Sequence, residues 1–413
     1  MKEVKATFKT TDTGKIPDEW NVVKLGEILE DVLTGATPLR SQKGYWQNGN
    51  IPWLTNNEVR EGKINYIYNT KEKVTEKALI ETNIKLIPAN SLILSLTASV
   101  GKVAINKIPL TTNQQFNTLI LNKRVLPEFL AYYLILSKRQ IELLAGITTF
   151  KFIGKETIKT LRILLPPLPE QKKIAEILST VDRAIEKVDE DIEKTQRLKK
   201  GLMQELLTKG IGHKEFKNTE MGRIPREWEI LNLSEVFRLA SGKSRPSEIS
   251  DIQTEKMLYP IYGGNGILGY TNQSMINKET IVIGRVGEYC GSIHKTTKFS
   301  WITDNALYAT NVLNHNLNLD FLTYWLTFLN LNKFKKESGQ PLMTQTIVYS
   351  IKFPLPPLSE QKKIAEILST VDKRLELLRK KKEKLERVKK GLMNDLLSGK
   401  SRVTNLISKE VKR

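Results

Sequence analysis

Apolar residues recur at alternating steps of four and three along two long stretches of the chain, and the positions between them are mostly charged. This spacing keeps the apolar side chains on one face of an α-helix and is typical of a coiled-coil seam. The predicted seam consists of Ile174, Leu178, Val181, Ile185, Val188 and Ile192 in the first stretch, and of Ile364, Leu368, Val371, Leu375, Leu378, Leu385 and Leu392 in the second. Gly210 and Gly399 mark the predicted helix ends.

The two stretches are near-copies of one another. The sequence PPLPEQKKIAEILSTVD begins at Pro166, and PPLSEQKKIAEILSTVD begins at Pro356. Ser359 is a predicted N-cap, and Glu170 and Glu360 place negative charge in the first turn, where the helix dipole favours it. The chain therefore contains one unit twice, a globular part followed by a long helix of roughly 60 Å.

Each globular part has the pattern of an α+β domain. The openings GKIPDEWNVVKLGEIL and GRIPREWEILNLSEVF predict a turn, a short strand carrying Trp20 or Trp228, and a brief helix. The two tryptophans are predicted to be buried in the core, because apolar residues surround them. Ser91–Ile105 and Thr280–Lys295 are rich in β-branched residues and interrupted by glycine, which predicts a hairpin in each part.

The two long helices are predicted to pair antiparallel, because the second begins close to where the first delivers the chain. The predicted fold class is α+β, with two mixed α/β domains separated by a pair of long antiparallel coiled-coil helices in a pseudo-two-fold internal repeat. The predicted boundaries are 1–165 for the first domain, 166–212 for the first helix, 213–355 for the second domain, 356–400 for the second helix and 401–413 for a basic tail. Two separate solvent-exposed helices, or an intermolecular coiled coil, are the alternatives.

The formal net charge of +20 favours a polyanionic partner, with nucleic acid first, over an inert basic surface. A single cysteine, Cys290, excludes an internal disulfide, and the three histidines lack the spacing of zinc ligands. No apolar run approaches the roughly 18 residues that cross a membrane, and the N-terminus lacks the apolar core of a signal peptide. The expected location is the cytoplasm.

Catalytic motifs are missing from the sequence. The segment Gly264–Gly269 fits GxGxxG, but no amphipathic helix follows it, as a dinucleotide site requires. No Walker-type phosphate loop occurs, nor does the Asn-Pro-Pro-aromatic or Asp-Pro-Pro-Tyr tetrapeptide of amino-methyltransferases. Glu170-Gln171-Lys172 and its copy imitate the end of a nuclease motif, but they lie where the helices start. We therefore expect no active site in this chain.

Two different globular parts, each followed by a near-identical PPL-x-EQ-x-x-IA-x-IL helix, resemble the specificity subunit of type I restriction–modification enzymes. The G-[KR]-IP-x-[ED]W openings, the TG-x-TP-like loop at Thr34 and the KKGLM-x-x-LL segments are also similar to that family. The second loop, SGKSRP from Ser241, departs from TG-x-TP, which leaves the equivalence of the two loops open.

The resemblance implies two target-recognition domains, each reading one half of a bipartite DNA sequence. The helix pair would fix the gap and help to dock two modification subunits, which carry S-adenosylmethionine and methylate adenine. Restriction subunits, which combine motor and nuclease, would use ATP and magnesium. This chain would bind none of these cofactors and catalyse nothing by itself. The alternatives are a structural coiled-coil protein that binds nucleic acid nonspecifically and, more weakly, an enzyme with an unrecognised active site.

Candidate DNA-contacting residues are basic or amide side chains in predicted loops, because Arg and Lys suit guanine and Asn and Gln suit adenine. For each of them, an ordinary solvated side chain is the alternative. In the first domain they are Arg40, Lys43, Asn56, Asn57, Lys102, Gln114, Gln115 and Lys151; in the second they are Lys243, Arg245, Asn265, Arg285, Lys298 and Gln340.

Overall fold

The structure is a computed structural model that describes residues 7–12, 14–96, 100–144, 153–335 and 341–410. The chain divides into two compact units. Unit 1 consists of Met1–Asp189 and Lys381–Arg413, and unit 2 consists of Glu190–Lys380. Each unit therefore contains a globular part together with segments of both long helices. The candidate residues Lys151 and Gln340 lie outside the described residues.

Unit 1 is built mainly from short strands. They are β1 (Phe8–Thr11), β2 (Gly14–Pro17), β3 (Asn21–Lys24), β4 (Leu29–Thr34), β5 (Ile51–Leu54), β6 (Ile64–Ile67), β7 (Glu72–Val74), β8 (Leu92–Ser95), β9 (Val103–Asn106), β10 (Thr111–Thr112), β11 (Phe116–Leu121) and β12 (Arg162–Leu165). Its helices are α1 (Glu76–Glu81), α2 (Pro127–Leu136), α3 (Lys138–Leu144), α4 (Lys155–Lys159) and the first part of α5 (Leu168–Lys209). Short 3₁₀ helices cover Leu25–Ile28, Lys43–Tyr45 and Asn56–Glu58.

A five-stranded sheet of order β4-β11-β8-β9-β6 forms the centre of unit 1, and β10-β5-β7 form a smaller second sheet. Strands β8 and β9 pair antiparallel, which confirms the hairpin predicted in Ser91–Ile105. Both strands are buried throughout, because each face of the sheet is covered. Leu92 and Leu94 face the core shared with α2 and the long helices, whereas Ile93 lies in a second cluster on the opposite face.

Unit 2 repeats this plan with fewer residues. Its strands are β13 (Phe216–Thr219), β14 (Gly222–Pro225), β15 (Glu229–Asn232), β16 (Phe237–Ser241), β17 (Tyr259–Gly263), β18 (Gly266–Thr271), β19 (Ile281–Gly284), β20 (Ile293–Lys295), β21 (Trp301–Ile302), β22 (Ala306–Val312) and β23 (Lys352–Leu355). Its helices are α6 (Leu233–Val236), α7 (Leu319–Leu329), α8 (Gln345–Tyr349) and the first part of α9 (Leu358–Leu397), with a 3₁₀ helix at Leu331–Phe334. Helix α10 (Thr404–Glu410) belongs to unit 1 and lies in the segment predicted as a basic tail.

The sheets of unit 2 have the order β16-β22-β19-β20 and β18-β17-β21. Strands β19 and β20 form the hairpin predicted in Thr280–Lys295. The GxGxxG segment is a hairpin as well, with β17 and β18 joined by a turn at Gly264 and Asn265, so it does not start a dinucleotide-binding helix. Trp20 and Trp228 are fully buried, which confirms their predicted place in the core, but each precedes its strand instead of lying in it.

In unit 1 the segments of α5 and α9 run antiparallel. The Asp182 carboxylate lies 2.6 Å from the Lys389 ammonium, and the Asp189 carboxylate lies 2.7 Å from the Lys382 ammonium. The residue numbers therefore increase along α5 in the direction in which they decrease along α9. Both lysines continue the same steps of four and three that define the seam. Charged residues at such positions fix the register of a helix pair at some cost in stability.

Unit 2 shows the same antiparallel arrangement. Lys199 lies 2.6 Å from Asp372, and the N–H of Ile211, just past the end of α5, donates to Glu360 in the first turn of α9. The paired helices confirm the predicted fold class. Helix α9 begins at Leu358, so the predicted N-cap at Ser359 is wrong, because the helix takes in one residue more. The seam residues are buried or half-buried, namely Ile174, Leu178, Val181, Ile185, Val188, Ile192, Ile364, Leu368, Val371, Leu375, Leu378, Leu385 and Leu392.

Candidate nucleic-acid interface

The first turn of α5 holds the globular part of unit 1. The buried Glu170 carboxylate accepts a hydrogen bond of 2.9 Å from Nε1 of Trp20. The Gln171 side chain accepts from the N–H of Leu126 at 2.9 Å and donates to the carbonyl of Arg124 at 3.0 Å. The buried Glu170 and Gln171 side chains therefore both bond to the globular part, which makes this turn an attachment point.

The first turn of α9 makes the same contacts in unit 2. Nε1 of Trp228 donates to Glu360 at 3.0 Å. The Gln361 side chain accepts from the N–H of Asn318 at 2.8 Å and donates to the carbonyl of Asn316 at 2.9 Å. The Glu-Gln pair of the repeat thus anchors a globular part, a role beyond the favourable interaction with the helix dipole that its position predicts.

A basic side chain completes each attachment, and it is an arginine in unit 1 and a histidine in unit 2. In unit 1, Arg402 donates to both oxygens of Glu170 at 2.7 and 3.0 Å and to Glu19 at 2.6 Å. In unit 2, Nε2 of His213 lies 2.9 Å from Oε1 of Glu360. Both residues come from the segment that follows the end of a long helix.

A second contact joins α2 of unit 1 to both long helices. The hydroxyl of Tyr132 donates to Oδ2 of Asp182 at 2.7 Å, while Oδ1 of the same carboxylate pairs with Lys389. Lys389 also donates to the carbonyl of Gly62 at 2.9 Å. Burial and the nearby Asp182 carboxylate both raise the pKa of Tyr132, so its hydroxyl remains a proton donor. We call these three side chains the Tyr–Asp–Lys brace.

Unit 2 contains the same brace. Tyr324 of α7 donates to Oδ2 of Asp372 at 2.8 Å, and Lys199 pairs with Oδ1. Burial, followed by the bond to Asp372, raises the pKa of Tyr324. The first-turn anchor, its basic side chain and the brace together form what we call the junction of each unit. Apart from Arg402 and His213, the side chains of a junction come from the long-helix repeat, which supplies them twice, together with a tryptophan and a tyrosine from each globular part.

Four loops meet in unit 1 and form what we call its loop cluster, residues 34–37, 55–58, 95–102 as far as described, and 113–115. The N–H of Ala36 donates to the carbonyl of Thr112 at 3.0 Å. Lys102 donates from Nζ to the carbonyl of Asn56 at 3.0 Å, and the Gln114 side chain bonds to Thr37. Five candidates, Asn56, Asn57, Lys102, Gln114 and Gln115, thus lie together in one group of loops.

The loop cluster of unit 2 comprises residues 241–245, 263–266, 285–292 and 303–305. The N–H of Lys243 donates to the carbonyl of Ile302 at 2.9 Å, and Arg285 donates from Nη1 to the hydroxyl of Ser241 at 3.2 Å. Ser292 donates to the carbonyl of Gly264, next to Asn265. The candidates Lys243, Arg245, Asn265 and Arg285 therefore lie in this cluster.

The open question about the two glycine loops is resolved by their hydrogen bonds. Gly35 donates to the carbonyl of Phe116 at 3.1 Å, and Gly242 donates to the carbonyl of Ala306 at 3.1 Å. A Cβ at either glycine would overlap a backbone carbonyl of the neighbouring loop, so both positions require glycine. TGATP and SGKSRP are thus equivalent in structure despite their different sequences.

Three described candidates lie outside the clusters. The guanidinium of Arg40 stacks on Trp46, 3.9 Å from the ring centre, and forms two hydrogen bonds to Glu72, of 3.0 and 2.7 Å. The Arg40 guanidinium therefore already pairs with a carboxylate, unlike that of a free arginine. Lys43 is exposed in its 3₁₀ helix, and Lys298 is exposed in the turn between β20 and β21.

The model of the type I restriction modification DNA specificity domain matches residues 17–194 and 225–387. The chain is 32% identical over 427 residues to the putative type I restriction enzyme MjaX specificity subunit of Methanocaldococcus jannaschii, covering 96% of this chain and 97% of that protein. The chain belongs to the type I restriction–modification specificity subunits. It is also 29% identical to the MjaVIII specificity subunit of the same organism, covering 97% of both chains.

The fold agrees with a solved member of the family. The S subunit of a type I restriction–modification system from M. genitalium matches with a TM-score of 0.63 at 20% identity, over 94% of this chain and 98% of that one. The model of the specificity domain matches twice, once in each half of the chain. DNA is therefore the ligand for which the loop clusters are candidate binding surfaces.

Sequence reasoning missed most junction residues of this specificity subunit. Asp182, Lys389 and their counterparts in unit 2 appeared only as charged positions of a helix, although they recur at matching places in the two copies. That recurrence was the available signal. His294 was also not proposed as a candidate, yet its Nε2 lies 3.3 Å from the carbonyl of Gly264 beside the loop cluster, and burial lowers its pKa.

In the described ranges, no three His, Cys, Asp or Glu side chains are grouped so that they could hold a metal ion. Nor does any helix of the described part of the chain combine the length and apolar character needed to cross a lipid bilayer.

Proposed function

We propose that this chain is the noncatalytic DNA sequence-specificity subunit of a type I restriction–modification complex, and that each unit reads one half of a bipartite target. One observation carries the proposal. The junctions are alike in the two units, whereas the loop clusters occupy equivalent places with different side chains. Such a pattern is expected where one attachment serves two readers of different sequence.

The long helices are proposed to fix the gap between the half-targets and to dock two modification subunits. Near-identical helix starts suit two copies of one partner, because each copy would meet the same side chains. Apolar side chains are exposed on both helices and would lose contact with water on docking, namely Leu198, Ile367, Leu377 and Val388. A fixed helix-pair register, set by Asp182–Lys389 in unit 1 and Lys199–Asp372 in unit 2, suits a spacer of constant length.

The chemistry is assigned to partners in this proposal. The modification subunits would bind S-adenosylmethionine and methylate adenine, and the restriction subunits would use ATP and magnesium. The chain itself would select the DNA sequence to which the complex binds. The net charge of +20 supports binding to the DNA backbone, which contributes affinity without sequence information.

The decisive experiment compares the purified chain with the chain reconstituted with its modification subunits, using randomised duplexes and S-adenosylmethionine. We expect no methylation by the chain alone and methylation at one bipartite sequence by the complex. Methyl transfer by the chain alone would contradict the noncatalytic assignment. The modification subunits without this chain are the matched control, and they should select no sequence.

A second outcome would favour nonspecific binding through charge. In that case, random and selected duplexes would compete equally for the complex at fixed salt, because phosphate contacts do not distinguish sequences. We expect the selected duplex to compete at a much lower concentration than the random pool, by a factor on the order of 10³ or more.

A further inference from the structure

One position has the same backbone contacts in both units but a different side chain. The residue that follows β8 is Leu96, whose N–H donates to the carbonyl of Gln115 at 3.2 Å. The residue that follows β19 is Arg285, whose N–H donates to the carbonyl of Asn305 at 2.9 Å. Leu96 and Arg285 therefore occupy matching places at the edge of their loop clusters.

The strand residue before each of them extends the match. Ser95 donates from its N–H to the carbonyl of Lys102 at 2.9 Å, and Gly284 donates to the carbonyl of Ser292 at 2.8 Å. The Lys102 side chain in turn donates to the carbonyl of Asn56, and the Ser292 side chain donates to the carbonyl of Gly264. Both acceptors lie in another loop of the same cluster. The correspondence thus covers several consecutive contacts, and does not depend on one hydrogen bond.

The two matching side chains have opposite environments. Leu96 is 1% exposed and belongs to the core of unit 1. Arg285 is half-buried, and Ser241 is the one hydrogen-bond partner that its guanidinium has among the described residues. No carboxylate in the described part of the chain pairs with it, in contrast to Arg40, whose fork is filled by Glu72. Arg285 therefore keeps N–H donors available for a ligand.

The backbone around Arg285 is held on both sides. Its N–H is bound by Asn305, as above, and its carbonyl accepts from the N–H of Met343 at 2.8 Å. The preceding strand β19 is fully buried. A side chain that projects from a fixed backbone next to a buried strand loses less freedom on binding than one on a mobile loop.

We propose that Arg285 is a specificity-determining residue that contacts a guanine in the major groove of the half-target read by unit 2. This inference rests on the proposed function and adds the residue and the base. The planar guanidinium presents parallel N–H donors that match the O6 and N7 acceptors of guanine. The Leu96 side chain offers no donor, so the matching position of unit 1 cannot make this contact.

The test uses the chain reconstituted with its modification subunits and duplexes selected from a randomised pool. Arg285→Leu installs the residue that unit 1 has at the matching place, and Arg285→Lys retains the charge but loses the planar fork. Arg238→Leu is the matched control, because Arg238 is an exposed arginine on β16 of the same unit, outside the loop cluster.

We expect Arg285→Leu to weaken binding to the wild-type target by on the order of ten- to a hundredfold and to remove the preference for one guanine. The half-target of unit 1 should remain unchanged. Arg285→Lys should keep part of the affinity with reduced discrimination, and Arg238→Leu should keep both half-sequences. Retention of every preferred base by Arg285→Leu would overturn the inference.

If Arg285→Leu fails to fold, a second measurement uses the wild-type complex, with Arg285→Lys for comparison. Each guanine of the unit 2 half-target is replaced in turn by 7-deazaguanine, which lacks the N7 acceptor. We expect one replacement to weaken binding several-fold, and Arg285→Lys to be less sensitive to it. Insensitivity at every guanine of that half would overturn the inference while the proposed function stands. If the wild-type complex selects no bipartite sequence, the proposed function fails and this inference fails with it.

Discussion

Each unit contains two regions, the junction and the loop cluster, which differ in how far their side chains agree between the two units. Apart from Arg402 in unit 1 and His213 in unit 2, the junctions repeat the same side chains, with tryptophan on glutamate, glutamine on a loop backbone, and tyrosine and lysine on one aspartate. The loop clusters repeat the backbone hydrogen bonds, but Leu96 matches Arg285 and Lys102 matches Ser292. Under the proposed function, shared backbone geometry with different side chains would let one scaffold read two different sequences.

The contrast has a physical basis. Junction groups such as Glu170 and Gln361 are buried, so losing one partner leaves an unsatisfied polar group. Loop-cluster side chains such as Asn57 and Arg245 are exposed, and replacing them changes folding free energy little. The loops can therefore diverge while the junctions remain constrained.

Lengthening both helices should change the target most while leaving both regions intact. Seven residues inserted after Val188 in α5 and seven after Lys382 in α9 preserve the seam and its ion pairs, and add about 10 Å to the helix pair. We expect the complex to lose binding to the original target and to select the same half-sequences with a gap longer by about three base pairs. Methylome sequencing would report both quantities, and altered half-sequences would contradict the spacer role.

Removing the lysine of the brace should have the largest effect on stability. Lys389→Ala leaves the Asp182 carboxylate without its ion pair and frees the carbonyl of Gly62, so we expect a loss of about 3 kcal/mol in unit 1. Lys199→Ala is the matched change in unit 2. It should cost only about 1 kcal/mol, because Lys199 and Asp372 are more exposed.

Hydrogen exchange read by mass spectrometry would assign each loss to its unit. Equal losses for the two lysine variants would show that burial does not govern the brace. A changed half-sequence in either variant would contradict the division between junction and loop cluster.

Exchanging the basic residues of the junctions, Arg402 and His213, should give a smaller effect. Arg402→His removes donors from both oxygens of the buried Glu170, so we expect unit 1 to lose about 2 kcal/mol. His213→Arg should change unit 2 by less than about 1 kcal/mol, because the N–H of Ile211 and Trp228 also bind Glu360. Urea unfolding followed by tryptophan fluorescence would measure both. A larger effect of His213→Arg would reverse our ranking of the two anchors.

The smallest effect is expected at Lys298, a candidate that the fold places outside the loop cluster of unit 2. Lys298→Ala should leave both half-sequences unchanged and weaken binding to all duplexes by a similar small factor, because a phosphate contact carries no sequence information. Affinity measured against salt concentration would test this. A base preference lost in this variant would extend the reading surface to the turn between β20 and β21.

The sequence by itself determined the repeat, the helix pair and the α+β character of both globular parts. These features depend on local periodicity and on copies of the same residues, such as Ile174 and Ile364, which any correct fold must bury on the same helix face. It also indicated the family, because motifs such as Glu170-Gln171 occur twice in the same context. The candidate reading residues were chosen by side-chain type, and type alone cannot separate Arg40 from Arg285.

Only the tertiary structure decided which partners Arg40 and Arg285 have. Arg40 forms an ion pair with Glu72, a residue 32 positions along the chain. Arg285 donates a hydrogen bond to Ser241 and forms no ion pair with a carboxylate of the described residues. The equivalence of Leu96 and Arg285 likewise comes from strand pairing across segments of dissimilar sequence. Such contacts join residues distant in the chain, and their geometry depends on how the sheets close, so composition and periodicity carry no information about them.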